Sequence, residues 1–246
     1  LTDMPDPFVH HPELRGRIED YETSLFRTFR ADNLIVQEPH LRDWVYPEDR
    51  RAAIRAEALA GHSGDLWIFG YGSLMWNPAL RFAEVRRAHV PDHARRLILV
   101  EYRGGRGTME APGLMATLDA GDGCDGLAFR IAAADVESET DILFQREMLA
   151  PGYLARFIPA RIGDEEVRVL TFLADHDVPD VRPDLTHEEQ VRYVAHGAGD
   201  LGTSRDYLAS IVGHLGELGI VDQPCTDLLN AVDTYLAATA EKEHAP

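Results

Sequence analysis

The sequence predicts an α+β protein built on a mostly antiparallel, barrel-like sheet with helices around it. Three observations carry this. Six short apolar or alternating runs lie between residues 66 and 173, bounded by Gly, Pro and Asp. The gaps between most of them have hairpin length. After residue 186 the period changes to that of helices.

Taken in order, residues 1–60 read as a polar, mainly helical extension, with one amphipathic stretch near Glu13 to Phe29 and an Ala/Arg/Glu-rich one from Glu48 to Leu59. His62-Ser63-Gly64-Asp65 breaks that pattern, so the expected organisation is an extension, 1–60, followed by one domain, 61–246. The six strand runs are Leu66–Phe69, Arg96–Val100, Leu114–Leu118, Leu127–Ile131, Tyr153–Ile162 and Val167–Leu173. One helix, Asp135–Met148, interrupts them, and three follow: Thr186–His196, Thr203–Leu218 and Pro224–Ala238. Thr186 with Glu189 forms a capping box that marks the start of the first of these three.

Composition removes several function classes. The chain has 246 residues, enough to bury a core without staples, and its net charge of −18 argues against nucleic acid or anionic membrane as partner. Its two cysteines, Cys124 and Cys225, have no Cys-x-x-Cys spacing, which disfavours a zinc ribbon or a disulfide framework and fits a reducing cytoplasm. No run of about 18 apolar residues occurs, and the first residues lack an apolar core behind a basic head, so neither membrane insertion nor secretion is expected. The chain opens on Leu1, which leaves room for residues upstream. Eleven histidines contain no His-Glu-x-x-His, so no metal is expected.

Three features could carry chemistry. Phe69-Gly70-Tyr71-Gly72-Ser73-Leu74 is a strand running into two glycines and a serine. Glycines there allow positive φ and close backbone approach, so successive N–H groups could form an anion nest; the alternative is a plain strand-to-loop turn. It is neither a Rossmann fingerprint, since Met75 stands where the third glycine belongs, nor a P-loop. The second feature is Glu147. At 100° per residue it falls on one stripe with Val136, Thr140 and Leu143, while Glu137, Asp141 and Gln145 point elsewhere. A carboxylate on that face, near a helix C-terminus, has its pKa raised, as a general base near neutral pH requires. The alternative is a helix-end glutamate that leans out to solvent or pairs with an arginine such as Arg156 or Arg161. The third is Arg103-Gly104-Gly105-Arg106-Gly107-Thr108, whose arginines could hold a substrate carboxylate on a glycine-hinged lid or could belong to a solvated loop.

Together these segments resemble the ChaC-type γ-glutamylcyclotransferases. The resemblance rests on Trp67 to Pro78, Gly105-Arg106-Gly107-Thr108 with Pro112-Gly113, Gln145-Arg146-Glu147-Met148 leading to Gly152-Tyr153, and Leu201-Gly202-Thr203 with Tyr207-Leu208, in that order along roughly residues 65–238. It implies a small mixed sheet closed into a barrel with helices around it, acting on γ-glutamyl compounds and above all on glutathione. It implies further that Tyr71, Gly72, Ser73 and Leu74 hold the γ-glutamyl head group, that Glu147 is the catalytic acid/base, and that Tyr153 and Tyr207 line the pocket, with no cofactor. Thr203-Ser204-Arg205-Asp206 departs from the asparagine-containing form common in that family. Two other functions stay open on the residues alone: a cyclotransferase for another γ-glutamyl amine, and a non-catalytic regulatory binder of the same fold.

Overall fold

The computed structural model describes residues 6–243. The strands are β1 (Leu66–Gly70), β2 (Glu84–Val90), β3 (His93–Glu101), β4 (Gly113–Ala120), β5 (Cys124–Ile131), β6 (Tyr153–Ile162), β7 (Glu165–Ala174), β8 (Ala198–Gly199) and β9 (Gly202–Thr203). The helices are α1 (Leu25–Thr28), α2 (Ala31–Gln37), α3 (Glu48–Ala58), α4 (Val136–Glu147), α5 (His187–His196), α6 (Ser204–Glu217) and α7 (Gln223–Glu243). The described residues form two compact units, one of residues 6–94 and 118–175, the other of residues 95–117 and 176–243.

The first unit is a closed five-stranded barrel. β1 pairs antiparallel with β5, β5 with β2, β2 with β6 and β6 with β7. The ring shuts with a parallel pair, Trp67 opposite Val169 and Ile68 opposite Leu170. The expected mixed, mostly antiparallel barrel is therefore what forms, and closure removes the edges an open sheet would expose. Strand β6 begins and ends where expected, with Ile158, Ala160 and Ile162 buried on one face and Ala155, of opposite parity, buried in the cluster with Phe144 and Phe172. Leu66, Ile68, Ile131, Leu170 and Phe172 from the strands pack with Leu143, Phe144 and Met148 from α4 and its end.

Two expectations fail here. Residues 13–29 form no amphipathic helix: a 3-10 turn at Pro12–Leu14 and the single turn α1 flank a run of turns. Gly16 sits at φ +77°, outside the right-handed helical region, and the Asp20 side chain captures the Glu22 N–H at 3.0 Å. Strand β2 escapes the strand pattern because Arg86 and Arg87 interrupt it, yet Val85, Ala88 and Val90 are buried.

The second unit places β3, from Arg95 on, beside β4, up to Thr117, together with α5, α6 and α7. Val191, Val194, Leu208, Ile211, Leu215, Leu228 and Val232 are among its buried helical residues. The predicted capping box at Thr186 and Glu189 is present at the start of α5. β8 and β9 make a two-residue ladder immediately before α6. Among the described residues no helix is long and apolar enough to cross a membrane.

Candidate active site

In the first unit the chain leaves β1 at Gly70 and enters a 3-10 turn at Ser73–Met75. The glycines act differently from the expectation. Gly72 has φ −129°, not a left-handed conformation, and Gly70 is also absent from the positive-φ glycines. Gly70 matters for space: a Cβ on it would lie 2.9 Å from the Leu74 Cβ and 3.3 Å from the Leu74 carbonyl carbon. Gly126 of β5 serves the same close approach, since its Cβ would lie 2.4 Å from the Gly70 oxygen.

The turn's own hydrogen bonds begin with the Met75 N–H donating to the Gly72 carbonyl at 2.9 Å, so the Ser73 and Leu74 N–H groups precede the first donor it uses. Leu74 contributes only backbone to the loop, because its side chain lies in the barrel core. The buried Tyr71 donates its hydroxyl to the Phe172 carbonyl at 2.6 Å, which ties the loop to β7. Tyr153 opens β6 opposite Ala174 and packs against the same core.

Glu147 closes α4 with its side chain 17% exposed. Burial raises its pKa above the ordinary carboxylate value, and the adjacent Arg146 guanidinium pulls the other way. Neither Arg156 nor Arg161 is the observed ion-pair partner. Arg146 is, with Nε 3.0 Å from Glu147 Oε1, while Arg156 donates to the Ala155 carbonyl. Arg146 also donates to Ser73 Oγ at 2.6 Å and to the Asn77 carbonyl. One guanidinium thus links the glycine-serine loop to the acid at the end of α4. Sequence reasoning passed over Arg146 except as part of a motif; the signal available was a basic residue beside the acid at a buried helix end.

The helical stripe proves too narrow. Glu139, Ile142 and Gln145 are buried as well as Thr140, Leu143 and Phe144, because residues 27–55 cover a second face of α4. Gln145 accepts the Ala31 N–H at 3.3 Å and donates to Glu48 at 2.9 Å. Arg27 grips Glu139 with both guanidinium nitrogens, and Arg55 donates to the Glu137 carbonyl at 3.0 Å and to Thr140 Oγ1 at 3.2 Å.

In the second unit the structure brings Arg106 and Tyr207 together, with the guanidinium carbon 4.6 Å from the ring centroid. Arg106 NH1 also donates to the Thr203 carbonyl at 3.3 Å. The loop is tied down by Glu101, whose carboxylate accepts the N–H of Arg103 at 2.7 Å and of Arg106 at 2.5 Å. Arg103 itself goes to Asp180 at 2.7 Å. The glycines permit tight packing here: a Cβ on Gly107 would lie 2.2 Å from the Gly113 nitrogen, and one on Gly199 would lie 2.2 Å from the Gly104 oxygen. Ser204, at the departure from the family's common form, is fully buried, accepts the Leu114 N–H at 3.0 Å and reaches the Arg106 carbonyl at 3.2 Å. It fastens the Arg106 loop to the helix that carries Tyr207.

The family model described as ChaC-like protein matches residues 66–235. The glutathione-specific γ-glutamylcyclotransferase of Escherichia coli (strain K12) is 35% identical over 196 residues, covering 78% of this chain and 84% of the relative. The human glutathione-specific γ-glutamylcyclotransferase 1 is 27% identical over 190 residues, covering 73% and 84% respectively. A crystal structure of the glutathione-specific γ-glutamylcyclotransferase from yeast superposes with a TM-score of 0.64 at 19% identity, covering 70% of this chain and 97% of that one, a likeness of fold.

Proposed function

The chain belongs to the ChaC-like protein family, and on that premise we propose that it is a glutathione-specific γ-glutamylcyclotransferase that releases 5-oxoproline and cysteinylglycine. The observation that carries the mechanism is the guanidinium of Arg146 joining Ser73 to a partly buried Glu147 of raised proton affinity.

A γ-glutamyl group holds its own nucleophile. Its α-ammonium gives a proton to the Glu147 carboxylate, and the freed amine attacks the γ-amide carbonyl carbon. The new C–N bond closes a five-membered ring and pushes the carbonyl electrons onto oxygen. As the oxyanion collapses, the bond to the cysteine nitrogen breaks and that nitrogen takes a proton from Glu147, while the ring nitrogen, still carrying two hydrogens, gives one to the regenerated carboxylate and through it to the released amine, which leaves as an ammonium. Atoms balance without water, cofactor or protein nucleophile.

Ring closure is intramolecular, so holding the glutamyl chain folded supplies the largest advantage, where effective molarities reach about 10⁵–10⁸ M. We assign the folding of the head group to the Tyr71–Leu74 loop, whose Ser73 and Leu74 N–H groups suit its α-carboxylate or the developing oxyanion. Tyr153 is assigned to the wall beside Glu147. In the second unit we assign a carboxylate-binding role to Arg106, oriented by the Tyr207 ring.

The substrate is a small molecule, and the strongly acidic chain is ill suited to nucleic acid. We place the enzyme in the cytoplasm, where reducing conditions suit its two buried cysteines. Incubation of the full chain with glutathione tests the function: equimolar 5-oxoproline and cysteinylglycine are expected, and intact glutathione after prolonged incubation refutes it.

A further inference from the structure

We infer that Phe26 is a positioning residue for Glu147, acting through Arg146, so that the segment before the family-matched region completes the catalytic geometry. The inference rests on the assignment of Glu147 as acid/base.

Arg146 has its side chain only 9% exposed. Its NH2 donates to Ser73 Oγ at 2.6 Å and its NH1 to the Asn77 carbonyl, while its Nε lies 3.0 Å from Glu147 Oε1 as an ion pair. A face remains, and the Phe26 ring covers one with its centroid 4.1 Å from the guanidinium carbon. A ring on the face excludes water and holds the plane by cation–π attraction. The placement of that guanidinium sets where its charge lies beside the Glu147 carboxylate.

Phe26 is itself anchored to the same loop. Ser24 caps α1, accepts the Phe26 N–H at 3.3 Å and donates to Asn77 Oδ1 at 2.8 Å. Asn77 Nδ2 donates to Glu19 at 2.6 Å, and the Glu19 N–H donates to the Trp76 carbonyl at 2.7 Å. On the other side Arg27 holds Glu139 of α4 and donates to the Ala79 carbonyl at 3.3 Å. Residues 19–27 therefore touch both elements that Arg146 joins, and they precede the matched stretch that starts at residue 66. We propose this brace as the task of the 1–60 extension. Misplacing a reacting group by about 1 Å can cost on the order of 10²-fold in rate, which makes the brace visible in kinetics.

The test measures kcat, KM and Tm of the full chain with glutathione for Phe26→Leu, Phe26→Tyr, Arg146→Lys and Phe26→Leu/Arg146→Lys. Phe26→Leu should lose about tenfold in kcat with KM within about twofold, and Phe26→Tyr, which keeps the ring, should restore kcat. Arg146→Lys should lose at least about tenfold, since an ammonium cannot reach Ser73 and Asn77 with two divergent donors while keeping its charge beside Glu147, and the double variant should lose no more than Arg146→Lys alone. A wild-type kcat in Phe26→Leu, no recovery in Phe26→Tyr, or multiplying losses in the double variant each overturns the inference. Should Phe26→Leu fail to fold, a wild-type kcat in Arg146→Lys overturns it equally. A wild-type chain that makes no 5-oxoproline overturns the functional reading itself and this inference with it, whereas an active wild type with an indifferent Phe26 sinks this inference alone.

Discussion

Glu147→Gln separates the proton chemistry of the site from its shape. The side chain is 17% exposed and 3.0 Å from Arg146 Nε, and the amide keeps its volume and can turn its oxygen to the same nitrogen. What it cannot do is accept the ammonium proton. Loss of a general acid–base group costs about 10²–10⁴-fold in kcat, which is roughly 2.7–5.5 kcal/mol of barrier at about 1.36 kcal/mol per tenfold. KM should change little, because the head group is assigned to the loop.

Stability should move in the opposite direction. Burial, the largest influence on Glu147, raises its folded pKa above its unfolded one, outweighing Arg146. The stability associated with its protonation is fully present below the ordinary glutamate pKa and is lost as pH rises through the raised folded value. Glutamine suffers no such loss. Relative to wild type, the variant should therefore gain in Tm as pH rises from the ordinary glutamate pKa through the raised folded one. The assays are 5-oxoproline release and melting curves across pH. Turnover within a few-fold of wild type would refute the acid/base role, and a Tm difference that shrinks with rising pH would refute the claim that burial dominates.

Three further outcomes follow from the packing and the chemistry. Gly70→Ala places its Cβ 2.9 Å from that of the buried Leu74, so the loop must shift; a loss of about 1–3 kcal/mol with raised KM is expected in melting and kinetic measurements, and wild-type kinetics would show that the loop does not position substrate. Arg27→Met strands the 2% exposed Glu139 with the Arg81 N–H at 2.9 Å. Breaking such a pair costs about 3–5 kcal/mol, or roughly 6–20 °C in Tm at about 2–4 °C per kcal/mol; adding Glu139→Gln should recover part of it, and a loss under about 1 kcal/mol in urea titration would contradict the account. Chelation by EDTA should leave turnover unchanged, since a single carboxylate can move the proton; activity lost and restored by one added metal would overturn the mechanism.

Periodicity alone determined much of this protein. The alternation in residues 153–162 defines β6 to its ends, because a strand in a closed barrel has one face in the core and one outside. Thr186 with Glu189 marks the start of α5, because capping is satisfied within four consecutive residues. The inward lean of Glu147 could be read from its stripe with Leu143, since helical geometry is local. Tertiary structure decided what those faces meet. Gln145 looks solvent-directed on a helical wheel and Glu139 sits at the edge of the stripe, but Arg27, Ala31 and Glu48, about a hundred residues away, supply their partners. Strand β2 forms despite Arg86 and Arg87 because β5 pairs with it along its whole length and β6 meets it at His89. Arg146 and Glu147 are neighbours about 100° apart on a helix, a spacing that by itself separates side chains. They meet because Ser73 and Asn77 arrive from the loop after β1 to take the other two nitrogens, and Phe26 arrives to cover the face. A sequence records which side of an element must leave water. Which partner satisfies each buried charge is settled only when the chain closes on itself.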